Sequence, residues 1–444
     1  MTPARLILCI SIAISTRSLL ADDWSRFRGP NGSGVSAEAA PTKWSPSENL
    51  HWKIELPGPG VSSPIVVGDR VFVTCYSGYG VDRENPGDIE NLKRHLVCID
   101  RHSGRELWSH AIPAAQPEDP FSGIGVPAHG YASHTPVSDG ERVYAFFGKS
   151  GVFAFDLDGS QLWQASVGTS SDPWAWGSSS SPVLYQDRLI VTAAAESEAL
   201  VALDCQTGQE LWRESAGGFV GMWGTPTLLP AAGERPAELV LSVPFEIWSF
   251  DPENGKLLWF CEASESEQAH ASAIADDGVV YAFSNRGGGA VAVRPGGRDD
   301  VTNTHVLWKK NQSASFGTPI AYNGKIYLIT NDVVTTVDAQ SGNEIGAKLR
   351  LRGRSGDTPE EAPRGRGGRG GRGGGDYASP VIAGDKLYYL KVSGELFFIQ
   401  LGVELKQLSV NTIAEDGESF GGTPAVSQGQ IFIRSNKHLL CIAL

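Results

Sequence analysis

The stretch from Leu200 to Trp212, L-V-A-L-D-C-Q-T-G-Q-E-L-W, decides the fold, because variants of it recur along the whole chain. Val201 and Leu203 alternate with the small Ala202 and with Asp204, the period-two pattern of a strand packed on both faces. A tight turn follows. Asp204 offers oxygens to backbone N–H groups just downstream, Thr207 does the same more weakly, and Gly208 supplies a positive φ. Trp212 then stands on the next strand. The same unit runs from Asp100 to Trp108, Asp156 to Trp163 and Asp251 to Trp259, is stretched from Arg294 to Trp308, and keeps Asp338, Ser341 and Gly342 without a Trp in a sixth copy. Around Gln400 and Gly402 a seventh keeps little.

A second signature marks each repeat: a Ser or Thr, then Pro, then a short apolar strand, a polar turn and another strand. It occurs at Ser63-Pro64, Thr135-Pro136, Ser181-Pro182, Thr225-Pro226, Thr318-Pro319, Ser379-Pro380 and Thr423-Pro424, with Ser272-Ala273 as a degenerate copy. Proline is tolerated at a strand's first residue because no ladder bond is lost there. Spacings are mostly 44 to 47 residues, which sets eight repeats of four strands. The last repeat stops at Leu444 after a third strand, while Leu50 to Leu56 is a lone strand carrying Trp52. First and last segments therefore share one sheet, and the expectation is an all-β, eight-bladed β-propeller of four-stranded antiparallel blades closed by the N-terminal strand. Trp52, Trp108, Trp163, Trp212, Trp259 and Trp308 are expected to dock between neighbouring blades.

The expected organisation is a signal peptide over residues 1–21, an irregular segment over 22–49 and the propeller over 50–444. Arg5 and the apolar run Leu6 to Ile14 suit a secretory signal and are too short to span a bilayer. No cysteine follows that run until Cys75, so no N-terminal lipid anchor is expected, and a periplasmic or secreted location is. The formal charge of -13 speaks against a general affinity for nucleic acid or anionic membrane. Cys75, Cys98, Cys205, Cys261 and Cys441 are odd in number and show no CxxC spacing. Cys98 and Cys441 stand where other repeats have Ala154, Ala202 or Ala292, so small buried thiols are expected rather than a disulfide framework or a metal site.

The A-L-D-x-x-T-G-x-x-x-W pattern resembles the repeat of the PQQ-like (pyrroloquinoline-quinone-like) β-propeller proteins, a group that takes in quinoprotein dehydrogenases and BamB-type outer-membrane assembly factors. W-x-x-F-R-G-P at Trp24 to Pro30 is similar to exported members of that group in planctomycete-type bacteria. For dehydrogenase members the resemblance implies a quinone in the central funnel, calcium held by carboxylate and amide side chains, a catalytic Asp and commonly a disulfide between adjacent cysteines. This chain has no adjacent cysteines and no set matching the calcium ligands, so no cofactor is expected. The reading is a non-catalytic scaffold for a protein partner or an extracellular ligand; the alternative is a PQQ-dependent oxidoreductase acting on alcohols or sugars.

In an up-and-down blade the second-to-third strand turns and the blade-to-blade links share one face. Gly78 to Arg94, Pro113 to Gly130 and Leu349 to Asp376 are all long excursions of that kind, so they project together and mark the binding face. At the starts of the innermost strands on that face stand His129, Tyr131, His134, Trp174, Trp176, Trp223, His270, Phe316, Tyr377 and Phe420. Two readings stay open: they line a funnel for a planar or sugar-like ligand, or they plug the channel and pack against loops. His129 and His134 match no metal-ligand spacing. The Arg/Gly-rich run Arg364 to Gly375, within the insertion 349–376, cannot bury a core and is expected to be disordered. It serves as a spacer, as a contact for an anionic surface through Arg364 to Arg372, or, least in favour, as a contact for single-stranded nucleic acid.

Overall fold

A computed structural model describes residues 23–444 except 46, 285–287, 315, 354–375, 413 and 416. Residues 1–21, expected to be a signal peptide, and the Arg/Gly-rich run Arg364 to Gly375 therefore lie outside the described residues. Eight antiparallel blades form a propeller, with Val183–Tyr185, Arg188–Ala193, Ala199–Asp204 and Glu210–Ser215 making blade 3 from the inside outward. Blade 8 joins Ala425–Ser427, Gln430–Arg434 and His438–Ile442 to the N-terminal strand Leu50–Glu55, with Trp52 opposite Cys441. The ring is closed as the sequence requires. Two blades carry an added parallel strand: Val35–Ser36 along the inner edge of blade 7, and Asp299–Asp300 along the outer edge of blade 4.

The repeated turn has a physical cause at each position. Asp204 Oδ1 accepts from the N–H groups of Gln206 and Thr207 at 3.0 and 2.7 Å and from the Thr207 hydroxyl at 2.8 Å, which holds its carboxyl below the ordinary carboxylate range. Gly208 has φ +72°, and a Cβ there would stand 2.5 Å from the Trp163 ring of the preceding blade. Trp163 rests on that glycine and donates its Nε1–H to Cys205 O at 3.0 Å. Trp52, Trp108, Trp212 and Trp308 repeat the arrangement on Gly104, Gly159, Gly255 and Gly342. Trp259 differs: blade 5 has a stretched turn in that place, and Trp259 donates instead to the buried Glu238 carboxylate at 2.8 Å.

Each Trp follows a bulge that leaves it facing a small residue on the third strand: Ala154, Ala202, Ser249, Ala292, Cys98 or Cys441. The cysteines thus fill alanine positions, and all five described cysteines are buried thiols without a disulfide.

The Ser/Thr signature closes a second ring. The N–H of Ser63 donates to the Thr135 hydroxyl, and the pattern continues from Thr135 to Ser181, Thr225, Ser272, Thr318, Ser379 and Thr423, then back from Thr423 to Ser63. These distances run from 2.9 to 3.1 Å. Ser and Thr alternate strictly around this circle, which ties the innermost strands of all eight blades to one another.

The irregular N-terminal segment threads the channel. Trp24 pairs with Val66 on the inner strand of blade 1, Ser25 O accepts from Ser138 of blade 2, and Arg28 Nη2 donates to Pro319 O of blade 6 at 2.9 Å. Having crossed the axis, the chain pairs with blade 7 at Val35 and packs Trp44 edge-on against Phe398. Trp24 is fully buried, with its ring against Gly29.

Candidate functional site

Above this crossing segment lies a chamber of about 730 Å³, within the usual range for small-molecule sites. Phe27 is its floor, the eight ring-forming Ser and Thr residues encircle it, and Ile124, Ala128 and His129 stand at its mouth on and beside the short helix Val126–His129. One wall is a continuous aromatic arc from Trp176 to Tyr377, which Trp174 extends beyond the chamber lining. Trp174, Trp176 and Trp223 lie 5.5–6.1 Å apart; Trp223 stacks on His270 at 4.7 Å and 10°; Phe316 and Tyr377 continue the series. Each member comes from a different blade-to-blade link except the pair Trp174 and Trp176, so the propeller's symmetry places them side by side. Among the described lining residues there is no Asp, Glu, Lys or Arg.

Six of the residues anticipated for a ligand site line this chamber: His129, Trp176, Trp223, His270, Phe316 and Tyr377. Tyr131 and His134 do not. Their side chains turn outward between blades, where Tyr131 packs on Tyr76 and donates to Asp119 O, and His134 lies against Phe146. Sequence position put all eight at strand starts; His134 turns away because it alternates with Ser133 and Thr135, which face the chamber, while Tyr131 leaves the short helix Val126–His129 through Gly130 at φ +71° and is not in an extended run. Phe420 is fully buried in the same way.

A family model described as outer membrane protein assembly factor BamB matches residues 35–229 and 239–348. The chain belongs to this family. Compared with BamB of Burkholderia pseudomallei (strain K96243), it is 24% identical over 357 residues, which is 66% of this chain and 80% of that protein. The structure of BamB from Moraxella catarrhalis matches with a TM-score of 0.57 at 12% identity, covering 89% of this chain and 97% of the other. Quinohemoprotein alcohol dehydrogenase ADHIIG from Pseudomonas putida HK5 matches with the same TM-score at 11% identity, covering 95% and 80%. At these identities the two structures speak for the fold alone, and one fold hosts different chemistries.

Beside its chamber, this BamB-family propeller holds a buried polar cluster between blades 1, 2 and 3, around a cavity of about 30 Å³. Arg94 pairs with Glu118 at 2.5 Å and Lys149 with Asp119 at 3.0 Å, all four side chains less than a tenth exposed. The first pair pins the long link after blade 1 back to blade 1, and the second pins it to blade 2. Ser178 donates to Glu196 Oε1 and accepts from His134 Nε2 at 3.0 Å. Burial pushes the Glu196 carboxyl up to about 7 and His134 down to about 3. No sequence pattern announced this cluster, because each partner is separated from the next by 18 or more residues.

The histidines at the mouth are engaged by the protein itself. His129 Nδ1 contacts the Ser133 hydroxyl at 2.6 Å and Nε2 contacts Trp176 O at 2.8 Å, and burial lowers its pKa. Among the described residues the group closest to a metal-ligand set is Glu415, Glu418 and His438, and there the Lys53 ammonium stands 2.5 Å from Glu415 Oε1. The BamB-family chain thus fills that position with its own cation.

Proposed function

We propose that the protein is a non-catalytic propeller scaffold of the cell envelope that presents its link face to a protein partner or a ligand. The observation that carries this reading is the chamber: it opens among the long links and is walled by aromatic rings and hydroxyls drawn from many blades. Its relatives are named as outer membrane protein assembly factors, which favours a protein-binding role outside the cytoplasm. The apolar run Leu6 to Ile14 supports export, and among the described residues no helix is long and apolar enough to cross a membrane. Exposed apolar side chains on the same face, Val81, Ile124 and Phe245, suit a partner's contact.

The quinone-dependent reading draws no support from the donor set. A calcium ion in the funnel needs carboxylates and amides, whereas the described lining offers Gln268 alone and no carboxylate. No adjacent cysteines are present.

Two measurements test the proposal. Photo-reactive residues at Ile124 and Phe245 are expected to capture a partner in envelope extracts, while one at Val403, on the opposite face, captures none; equal capture from both faces would sink the reading. Titration with pyrroloquinoline quinone, with and without calcium, is expected to leave the melting temperature unchanged. A tight cofactor at a hundredfold excess over its Kd would add about 3 kcal/mol, and such a calcium-dependent shift would restore the oxidoreductase.

A further inference from the structure

A second recess, of about 240 Å³, opens on the link face beside the mouth of the chamber. The two long excursions of blade 1 form one side of it, with Arg83 from the second-to-third turn and Ile124, Pro127 and Ala128 from the link to blade 2. Tyr377 of the link entering blade 7 and Val392 of that blade's second-to-third turn form the other. The short helix Val126–His129 is the partition between the two spaces. Pro127 lines the recess and not the chamber, His129 lines the chamber and not the recess, and Ala128 touches both.

Bonds within the protein hold these walls in place. Asp376 Oδ1 accepts from the Val392 N–H at 2.9 Å, and the Phe420 N–H donates to Val392 O at 3.0 Å, which joins blade 7 to the link that enters blade 8. On the other side His129 ties the helix to Trp176 O at 2.8 Å, and the Tyr131 hydroxyl donates at 2.7 Å to the carbonyl of Asp119, whose carboxylate Lys149 holds. A recess shaped in advance costs an incoming group little reordering of the receptor. Apart from Ser419 the lining side chains are apolar or aromatic, and Arg83 is the one charged group among the described lining residues. Charged neighbours in sequence of the far wall are paired, Lys391 with Asp332 at 2.7 Å and Glu418 with His438 at 2.5 Å. Arg83 is exposed and joins no ion pair among the described residues. Asp82 and Glu84 flank it without lining the recess, and Asp82 Oδ1 accepts from the Glu84 N–H at 2.9 Å.

We propose that this recess is where a partner protein docks: it receives one large aromatic side chain from an extended segment of that protein, and an aspartate or glutamate next to the anchor pairs with Arg83. This deepens the proposed function, resting on the link face as the binding face and naming the chemistry of what meets it. The recess falls below the usual size of a small-molecule site and suits a single anchor side chain. Interface hot spots are built this way, from an aromatic ring in a desolvated pocket inside an apolar border. Ile124, 52% exposed, and Val81, two residues before Arg83, supply that border. A carboxylate is the group a guanidinium binds most strongly, with two parallel hydrogen bonds. Against a net charge of -13, a preference for an acid here has no general electrostatic source and belongs to Arg83.

The test uses the full mature chain and three blocked peptides: acetyl-Gly-Asp-Trp-Asp-Gly-amide, the same peptide with both Asp replaced by Asn, and the same peptide with Trp replaced by Ala. Calorimetry is expected to show saturable submillimolar binding of the first, binding of the second weaker by about threefold, the scale of one exposed ion pair, and no binding of the third. Arg83→Gln is expected to remove the acid preference and Arg83→Lys to retain it, both with the melting temperature of the parent. Val392→Trp fills the recess without reaching the chamber lining and is expected to abolish binding. Should that variant fail to fold, a benzophenone side chain in place of the peptide's Trp reads the same point on the parent chain, and its cross-link is expected at Pro127, Val392 or Ser419 by mass spectrometry. Equal affinity for acid and amide peptides overturns the proposal, as does an acid preference that survives Arg83→Gln, absence of binding at millimolar concentration, or a cross-link at chamber residues such as Trp223. Capture of a partner at Ile124 and Phe245 without peptide binding removes the recess and leaves the face, whereas equal capture from both faces removes the face itself.

Discussion

The two faces of this propeller are built by opposite rules. On the face of the Asp-to-Trp turns the same few contacts repeat: a carboxylate closes the turn, a glycine takes positive φ, and the tryptophan of the preceding blade lies on that glycine. On the link face almost nothing repeats except the Ser/Thr ring. There the links differ in length, the aromatics stack into a single arc, and charged groups from three blades meet in one buried cluster. Repetition serves stability, since each blade must present its neighbour with the same surface to bury. Irregularity serves recognition, since a ligand or partner is not eightfold symmetric.

Substitutions ordered by expected effect sharpen that contrast. Trp163→Ala on the turn face removes a side chain 8% exposed, together with its bond to Cys205 O, and is expected to lower unfolding free energy by about 3–5 kcal/mol in denaturant titration. A much smaller loss would mean that blade contacts elsewhere carry the ring. Gly208→Ala, at φ +72° and with its new Cβ 2.5 Å from the same tryptophan, is expected to cost about 2–4 kcal/mol by strain and overpacking. A near-neutral outcome would show that Trp163 has room to retreat.

On the link face the effect depends on pH. The Glu196 carboxyl titrates at about 7 in the folded protein against 4.5 ordinarily, so its protonated form favours the fold below 4.5 and that contribution is lost as pH rises through 7. Glu196→Gln is therefore expected to gain on the order of 1–3 kcal/mol over the parent at pH 8 and to match it near pH 4.5, read from melting curves. His134 acts on the other side: held at about 3 against 6.5, it contributes above 6.5 and its contribution is lost as pH falls toward 3. If Glu196→Gln leaves the alkaline limb of the stability profile unchanged, the carboxyl is ionised in the fold and the Ser178 contact is the stronger influence. Trp174→Ala, at a side chain 40% exposed, is expected to change stability by less than about 0.5 kcal/mol. A larger loss would mean that the arc is a structural plug and would erase the difference between the faces.

The turn face was legible in the sequence because its causes are local. Asp204, Thr207 and Gly208 act on one another within four residues, and the tryptophan that rests on them recurs at the repeat spacing. The closing strand at Trp52 was legible for a different reason, since a count of strands left one blade short. The Ser/Thr marks were visible as strand starts, but their hydrogen-bonded circle was not, since each bond joins residues 44 or more positions apart. Of the aromatics and histidines placed on the link face, six reach the chamber; His134 turns away because side-chain direction alternates along an extended segment, and Tyr131 because it leaves the short helix Val126–His129 through a glycine of positive φ.

Periodicity, turn chemistry and the missing eighth outer strand were enough to determine an eight-bladed propeller and to say which face carries its long links. Those are properties of short segments and of their number, and each segment carries its own evidence. The N-terminal segment plugging the channel, the burial of Arg26 and Arg28 on either side of Phe27, and the buried cluster of Arg94, Glu118, Lys149 and Glu196 were decided only by tertiary structure. Their energies depend on burial and on partners far away in the chain, and a charged side chain in a loop reads the same in sequence whether water surrounds it or not.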